Sequence, residues 1–465
     1  MNSIGLYLHI PYCLHKCGYC DFNSHNINEA EMESYVQSLL SEMEQAAKDA
    51  RNYQVDTIFF GGGTPTTLPF SDLARILKAC HQHFQVDPQA EITCEANPAT
   101  IPQTDLAQLR EAGFNRLSIG VQSFDPDELK RLERVHSVDE VYLTVQRARE
   151  ANFENLSLDL MFGLPGQTVE RWRDNLQKAI DLEPDHISAY NLTIEPDTVF
   201  YKQQSQGQLI MPADDFQREL FEITIDTLTG AGYEHYEISN YAKPGKQSRH
   251  NLNYWVDGEY LGLGAGASSF FNGDRTKNTS LPARYIAQIN KSKTAVESRE
   301  TPDKRQRMGE AVMLGLRLMK GLNLATFEQQ FSISFLDVFV DTIEKLKGMG
   351  LLEISGGRAA LTHEGLFLAD SVIIEFIPEP ETNISCFIED EGKILPFSLK
   401  ISKPIQNESS ENEYRCLVDA PYLFKTPKEI AGIDERQSLE LAKRFVETLI
   451  EGKNLIDKDG KPLTI

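Results

Sequence analysis

Residues 4–20 have the sequence Ile4-Gly-Leu-Tyr-Leu-His-Ile10-Pro-Tyr-Cys13-Leu-His-Lys-Cys17-Gly-Tyr-Cys20, an apolar run followed directly by three cysteines. The run over residues 4–10 predicts a β-strand, and the cysteines form a C-x₃-C-x₂-C loop after it. Four cysteines close a 4Fe–4S cluster, so three thiolates leave one iron open. An open iron can bind a small bidentate ligand, and the amino and carboxylate groups of a methionine fit that description.

The same cysteines allow a second interpretation, a zinc site completed by His15 or His25, because zinc takes cysteine and histidine ligands. The chain has seven cysteines, an odd number in a chain for which no secretory signal is expected. This count favours a metal site over a disulfide framework. The other four cysteines are scattered in apolar context and are predicted to be core residues: Cys80, Cys94, Cys386 and Cys416.

Apolar runs alternate with amphipathic helical patterns through the first half of the chain. The predicted strands cover residues 4–10, 57–60, 91–95, 116–121, 156–162 and 186–192. The predicted helices cover residues 31–47, 71–84, 104–112, 138–151 and 169–182. Such alternation is typical of parallel β/α units, and six strands predict an α/β fold with a partial (β/α)6 barrel in residues 1–300. The candidate polar residues stand at strand ends, where barrel sites are built.

The pattern changes near residue 302. Helices predicted over 304–319, 324–331 and 336–349 lead to a β-hairpin that turns on Gly356-Gly357, and another helix starts near His363. This order predicts a winged-helix-like unit over residues 301–377, interpreted as a structural cover. Residues 377–381 have the composition of a linker. The remainder, 378–465, predicts a small α+β module with strands near 383–389, 394–401 and 413–418 and a helix near 437–451, and no function follows from it.

The composition limits the partners. The chain has 465 residues, a formal net charge of −23 and a pI of about 4.9. No long basic tract offsets this negative charge, so nucleic acid is not expected as the main partner. No run approaches the roughly 18 apolar residues that a transmembrane helix needs, and the N-terminus lacks the basic segment of a secretory signal. A cytoplasmic protein without a transmembrane segment is therefore expected.

A second motif, Phe59-Phe60-Gly61-Gly62-Gly63-Thr64-Pro65-Thr66, follows the second predicted strand. Three glycines allow close backbone approach and positive φ angles, and exposed carbonyl groups there can accept hydrogen bonds from an ammonium group. A glycine-rich loop alone is often only a tight turn. Beside the cysteine loop, one strand earlier, it indicates part of a binding site.

Together, the cysteine loop and GGGTPT resemble the radical SAM superfamily, and in particular the branch of oxygen-independent coproporphyrinogen III oxidases and the heme chaperones derived from them. The resemblance covers residues 4–377 and includes later strand-end motifs, EANP from Glu95, GVQSF from Gly120 and LDLMFGLPGQT from Leu158. It implies a 4Fe–4S cluster on Cys13, Cys17 and Cys20, with S-adenosylmethionine (SAM) beside it. The residues implied to contact SAM are Tyr7, Tyr19, Phe22, Gly62, Gly63, Thr64, Glu95, Gln122, Arg134 and Asp159.

Two departures separate the chain from the oxidases. The oxidases carry a further cysteine two positions after the third, where this chain has Phe22. The oxidases also have an N-terminal extension, whereas three residues precede the first predicted strand here. A segment beginning at Arg249, RHNLNYW, matches the heme chaperones instead. The resemblance implies a heme site with His250 as iron ligand and Asn251, Tyr254 and Trp255 around it. A lone histidine is also commonly a structural residue.

The main hypothesis is a heme chaperone that holds a 4Fe–4S cluster, SAM and heme and delivers heme to acceptor hemoproteins, respiratory and membrane-bound ones being candidates. A homodimer is a candidate assembly. The alternative is an oxygen-independent coproporphyrinogen III oxidase, which would decarboxylate its substrate to protoporphyrinogen IX. Gly262, Gly264 and Gly266 lack the spacing of a dinucleotide-binding fingerprint and predict a tight loop.

Overall fold

The structure is a computed structural model of the chain. It describes residues 2–101, 105–377, 382–390, 393–402, 405–406, 414–420, 422–424, 426–432, 435–450 and 453–456. Residues 104, 378–381, 413 and 451 of the predicted elements lie outside these ranges. The chain divides into two compact units, Met1–Ile377 and Pro378–Ile465.

The first unit contains all six predicted strands. They are β1 Asn2–Ile10, β2 Tyr53–Gly62, β3 Gln85–Ala96, β4 Arg116–Gln122, β5 Leu156–Phe162 and β6 His186–Asn191. Each strand pairs in parallel with the next one along the chain. Parallel neighbours need crossover connections, and helices provide them: Glu29–Ala46, Phe70–His83, Asp105–Ala112, Pro126–Arg131, Val138–Glu150 and Val169–Asp181. The predicted α/β fold class is confirmed.

The sheet is wider than the sequence predicts. Six further strands join it: β7 Glu234–Glu237, β8 Asn240–Ala242, β9 Tyr260–Leu263, β10 Ser268–Phe271, β11 Asp274–Asn278 and β12 Val296–Glu300. The order of the described strands is β12-β11-β10-β9-β1-β2-β3-β4-β5-β6-β8-β7. The added strand β9 runs parallel to β1, while β8 runs antiparallel to β6. Other helices of this region are Val199–Ser205, Asp214–Gly230, Arg249–Trp255 and Pro282–Ser292.

The glycines predicted to form a tight loop divide between two roles. Gly262 belongs to β9, whereas Gly264 and Gly266, with φ of 105° and 75°, form the loop after it. A Cβ atom on Gly262 would lie 2.0 Å from the carbonyl oxygen of Ser268. This position therefore needs glycine because the returning strand passes against it.

Residues 304–374 form helices around a β-hairpin, as predicted. The helices are Lys304–Gly315, Leu324–Phe331, Phe335–Val338, Val340–Gly348, His363–Phe367 and Ala369–Ile374. Leu352–Ser355 and Arg358–Leu361 form the hairpin, and Leu322–Asn323 pairs with its second strand. Gly356 and Gly357 have φ of 55° and 74°, the positive pair of a tight hairpin turn. The helix predicted over 336–349 is two helices, because Phe339 leaves helical geometry.

The second unit is an antiparallel sheet with one helix. Its strands are Thr382–Asp390, Lys393–Ile401, Ile405–Gln406, Tyr414–Asp419, Lys428–Gly432 and Asn454–Ile456, and its helix is Glu435–Leu449. Cys386 and Cys416 are buried in its core, as predicted. Across the described residues of both units, no helix is long and apolar enough to cross a membrane.

Candidate cofactor site

The carboxyl ends of the parallel strands open onto a cavity of about 370 Å³. Parallel strands end at one edge of the sheet, so residues far apart in the sequence meet there. The three cysteines of the first loop line the cavity. So do most of the residues predicted to contact SAM, namely Tyr19, Phe22, Gly62, Gly63, Thr64, Glu95, Gln122, Arg134 and Asp159. Tyr7 lines a neighbouring cleft instead.

The cysteine loop is held by backbone hydrogen bonds at both ends. The Cys20 amide donates to the Cys17 carbonyl over 3.1 Å, and the Ile27 amide donates to the Cys13 carbonyl over 3.0 Å. Burial raises the pKa of the Cys13 and Cys20 thiols above their ordinary values. A group with positive charge is therefore needed to hold them as thiolates, as metal coordination does.

The glycine-rich loop lies directly against the cysteine loop. The amides of Gly63 and Thr64 donate to the carbonyls of Ile10 and Tyr12, each over 2.8 Å. A Cβ atom on Gly63 would lie 2.7 Å from the Tyr12 carbonyl oxygen, and backbone cannot yield as a side chain would. The two loops therefore touch only because this position is glycine.

Two half-buried carboxyl groups form the floor of the cavity. The Gly62 amide donates to Glu95 over 3.2 Å, and Ser188 donates to Asp159 over 2.7 Å. Burial, together with repulsion from Asp159, raises the pKa of Glu95 to about 8. Burial also raises the pKa of Asp159. Such groups can accept hydrogen bonds from ligand hydroxyls, and a cationic ligand would favour their ionised forms.

Arg134 provides the positive charge of the cavity wall. Its guanidinium donates to the Gly120 carbonyl over 3.0 Å and lies 3.8 Å from the Cys17 sulfur. Its Nε is buried without a hydrogen-bond partner among the described residues. A buried donor of this kind calls for an acceptor, and a ligand carboxylate would supply one. One cavity is thus lined by groups that can accept hydrogen bonds from an ammonium group and from hydroxyls, and by a group that can bind a carboxylate. These residues fit SAM beside a cluster.

The zinc interpretation is not supported by the side-chain positions. No three His, Cys, Asp or Glu side chains come together around a point that one metal ion could occupy within the described residues. His15 lies 3.3 Å from Glu133 instead, and His25 lies 3.3 Å from Asn23. Thiolates that each bind a different iron of a cluster need no such common point.

Comparison with known proteins agrees with this geometry. Residues 7–179 match the model of the Radical SAM superfamily, and residues 303–368 match the HemN C-terminal domain. Heme chaperone HemW of Escherichia coli (strain K12) is 41% identical over 386 residues, covering 82% of this chain and 99% of the relative. Heme chaperone HemW of Bacillus subtilis (strain 168) is 37% identical over 374 residues, covering 80% and 99%. The chain belongs to the HemW family of the radical SAM superfamily.

More distant relatives of this HemW family member extend the comparison. The radical S-adenosyl methionine domain-containing protein 1 of mouse mitochondria is 34% identical, covering 81% of this chain and 87% of the relative. The solved structure of coproporphyrinogen III oxidase (HemN) from Escherichia coli, a radical SAM enzyme, has a TM-score of 0.72 at 26% identity, covering 81% of this chain and 90% of that one. Membership of the radical SAM superfamily implies a 4Fe–4S cluster and SAM.

The segment expected to bind heme in a HemW protein forms the short helix Arg249–Trp255, and His250 is 1% exposed. Its Nδ1 shares a hydrogen bond with the Thr57 hydroxyl and its Nε2 shares one with the Tyr254 hydroxyl, both 2.8 Å. Burial lowers the pKa of His250 to about 3, so the ring is neutral. Both ring nitrogens are engaged in these hydrogen bonds, and ligation of heme iron by His250 stays a prediction that requires one of the two bonds to break.

The three aromatic and polar neighbours of His250 have different surroundings. Tyr254 lines the same cleft as Tyr7. Trp255 packs beneath the guanidinium of Arg317, 4.6 Å from the ring centre, and the Asn251 amide donates to the helix-capping Ser248. The structure thus brings only Tyr254 of this segment to a cavity that also borders the cysteine loop.

Sequence reasoning missed two residues that support the cysteine loop. His9 donates or accepts through both ring nitrogens, 3.0 Å from the Tyr7 hydroxyl and 2.8 Å from the Asn23 carbonyl. Asn23 donates through its side-chain nitrogen to the carbonyls of Ala265 and Ser280, over 2.9 and 3.0 Å. The only signal was their position near the cysteines, and the partners of the Asn23 side chain lie more than 240 residues away in the sequence.

Proposed function

We propose that this protein is a heme chaperone that carries a 4Fe–4S cluster and SAM, binds heme, and delivers it to acceptor hemoproteins. The observation that carries the proposal is the single cavity in which the cysteine loop meets the glycine-rich loop, Glu95 and Arg134. The names of the HemW relatives support the heme part of the proposal. Respiratory hemoproteins bound to membranes are the acceptors to test, and a homodimer is the assembly to test.

Each part of the cavity would have a distinct task. Cys13, Cys17 and Cys20 would each hold one iron, leaving the fourth open for the methionine end of SAM. The glycine-rich loop at Gly62–Thr64 would receive the ammonium group, and Arg134 would pair with the carboxylate. Glu95 and Asp159 would accept hydrogen bonds from the ribose, while Tyr19 and Gln122 complete the wall. When reduced, such a cluster supplies one-electron chemistry toward SAM.

The alternative function is oxygen-independent coproporphyrinogen III oxidation. The structural similarity to HemN supports this alternative. Phe22 weighs against it, because it occupies the position of the oxidases' further cysteine implied by the resemblance. This residue is 64% exposed, and it lines both the cavity and the adjoining cleft. An apolar ring at this place suits contact with a flat macrocycle more than thiol chemistry.

Anaerobic reconstitution with iron and sulfide tests the proposal directly. The loaded protein is incubated with SAM and dithionite, once with coproporphyrinogen III and once with heme plus an apo-hemoprotein. We expect no porphyrin conversion, a Soret band on the protein, and transfer of that band to the acceptor. Replacing Cys13, Cys17 and Cys20 together by alanine should abolish cluster loading.

The outcomes separate the two functions. Formation of protoporphyrinogen IX would overturn the chaperone function and support the oxidase function. Absence of both conversion and a Soret band would leave neither function standing. His250→Ala in the same assay tests the prediction that His250 ligates the heme iron. An unchanged Soret band in this variant would show that His250 is not an iron ligand.

A further inference from the structure

A second cleft, of about 610 Å³, borders the cysteine loop on the side of β9. Its size is within the usual range for sites that bind cofactor-sized ligands. It shares Gly62, Glu95 and Phe22 with the main cavity, so a ligand there would lie next to the proposed cluster and SAM.

The wall of the cleft is aromatic. Tyr7, Tyr254, Tyr260 and the exposed ring of Phe22 all line it. Tyr254 and Tyr260 meet edge to face with ring centres 4.7 Å apart. His250 holds the Tyr254 hydroxyl in place from behind. A rigid aromatic wall presents flat apolar surface, the complement of a planar macrocycle.

One imidazole of the cleft has an available nitrogen. The side-chain nitrogen of Asn23 donates to two backbone carbonyls, which turns its oxygen toward His25 at 3.3 Å. His25 Nε2 must then be the protonated nitrogen, and Nδ1 carries the lone pair without a hydrogen-bond partner in the described part of the chain. A hydrogen bond that fixes the tautomer in this way is typical of histidine ligands to metals. The other imidazole in the cleft, His9, has both nitrogens engaged.

The cleft also contains two lysines, in a protein with a net charge of −23. Lys277 is exposed on β11, and Lys16 donates to the Phe22 carbonyl over 3.0 Å. Asp21 and Glu95 are the acidic residues of the lining, and Glu95 also lines the main cavity, where the positive charge of SAM would balance its carboxylate. A dianionic ligand would therefore orient its carboxylates toward the lysines.

We propose that heme binds in this cleft, with His25 Nδ1 as an iron ligand, the tyrosines and Phe22 against the macrocycle, and Lys16 and Lys277 at the propionates. The proposal rests on the proposed heme-chaperone function and deepens it by assigning the site. It gives His250 a positioning role, through Tyr254, in place of a bond to iron.

The test is a heme titration of the full chain, with and without the cluster, followed by the Soret band and by resonance Raman spectra of the iron–ligand bond. We expect His25→Ala to weaken heme binding about tenfold or more and to change the axial-ligand spectrum. Added imidazole should restore a nitrogen-ligated spectrum. His81→Ala, on the exposed surface of helix Phe70–His83, is the matched control and should behave as the unaltered protein.

A second variant tests the propionate contacts independently. We expect Lys277→Glu to weaken binding of heme several-fold, but not binding of the heme dimethyl ester, whose carboxylates carry no charge. Lys291→Glu, on the exposed side of helix Pro282–Ser292, makes the same charge change away from the cleft. This comparison remains informative if His25→Ala fails to fold.

The possible failures are distinguishable. If the unaltered protein shows no Soret band, the heme-chaperone function itself is lost. If it binds heme and His25→Ala gives the same affinity and the same spectrum, the ligand assignment is overturned while the function stands. If Lys277→Glu affects heme and its dimethyl ester equally, the propionate assignment is overturned.

Discussion

Glu42 is a buried carboxyl group beneath the loop that follows β9. It accepts hydrogen bonds from the Gly264 amide over 2.8 Å, from the Tyr285 hydroxyl over 2.6 Å and from the Asn278 side chain over 2.6 Å. Burial is nevertheless the largest influence and raises the pKa of Glu42 to about 7. The residue therefore couples protonation to the packing of helix Glu29–Ala46 against this loop.

Because the pKa of Glu42 is higher in the folded than in the unfolded protein, the folded state binds more protons between the two values. Its stabilising contribution is complete below about pH 4.5, the ordinary value, and is lost as the pH rises through about 7. We expect Glu42→Gln to flatten the decline in the free energy of unfolding over this range, by an amount on the order of 3 kcal/mol. Denaturant titrations of both proteins at pH 5 and pH 8 measure this change in the free energy of unfolding. Glu44→Gln, exposed on the same helix, is the control, and an unchanged slope in Glu42→Gln would contradict the assignment.

Single residues were predictable where their role is set by neighbours in the sequence. The three cysteines of the first loop and Gly62–Thr64 form short motifs, so their convergence on one cavity followed from strand order. The surroundings of His250 did not follow, because its partner Thr57 lies 193 residues away and belongs to another element. A polar residue in an aromatic motif can be a ligand or a packed structural group, and only the tertiary contact decides between them.

At the scale of elements, the glycine-rich loop and the cysteine loop form one packed unit. Gly63→Ala would place a Cβ atom 2.7 Å from the Tyr12 carbonyl oxygen, so one of the two loops must move. We expect this change to weaken SAM binding about tenfold or more and to lower stability by about 1–3 kcal/mol. Electron paramagnetic resonance of the reduced cluster, with and without SAM, reports the binding. Gly230→Ala, with open space around it, should leave both quantities near those of the unaltered protein.

The six parallel strands were predictable because each contains a short run with apolar residues that stands between amphipathic helical patterns. In β1, for example, Ile4, Leu6, Leu8 and Ile10 alternate along the strand and form one fully buried face. Strand β9 was not predictable, because its sequence YLGL leads into glycines that have low β-propensity. Its pairing with β1 comes from backbone contacts across more than 250 residues, including Leu8 with Leu263. Periodicity in the sequence cannot reveal a strand whose stability comes from such a partner.

At the scale of the whole molecule, the hydrophobic cores are separate. The cores of the first unit contain no described residue beyond Phe376, and the core of the second contains none before Cys386. A unit with its own core can fold alone. We therefore expect a chain truncated after Ile377 to load the cluster, bind SAM and bind heme within about twofold of the full-length affinities.

The matched variant in the full chain is Ile388→Asp, which places a charge in the buried core of the second unit. Burying an unpaired carboxylate is strongly destabilising, so this change should unfold the second unit alone. Calorimetry should then show the transition of the first unit unchanged, with cluster content, SAM binding and heme binding retained. If the truncated chain fails to load the cluster, or if Ile388→Asp abolishes heme binding while the first transition persists, the second unit takes part in the function rather than standing apart from it.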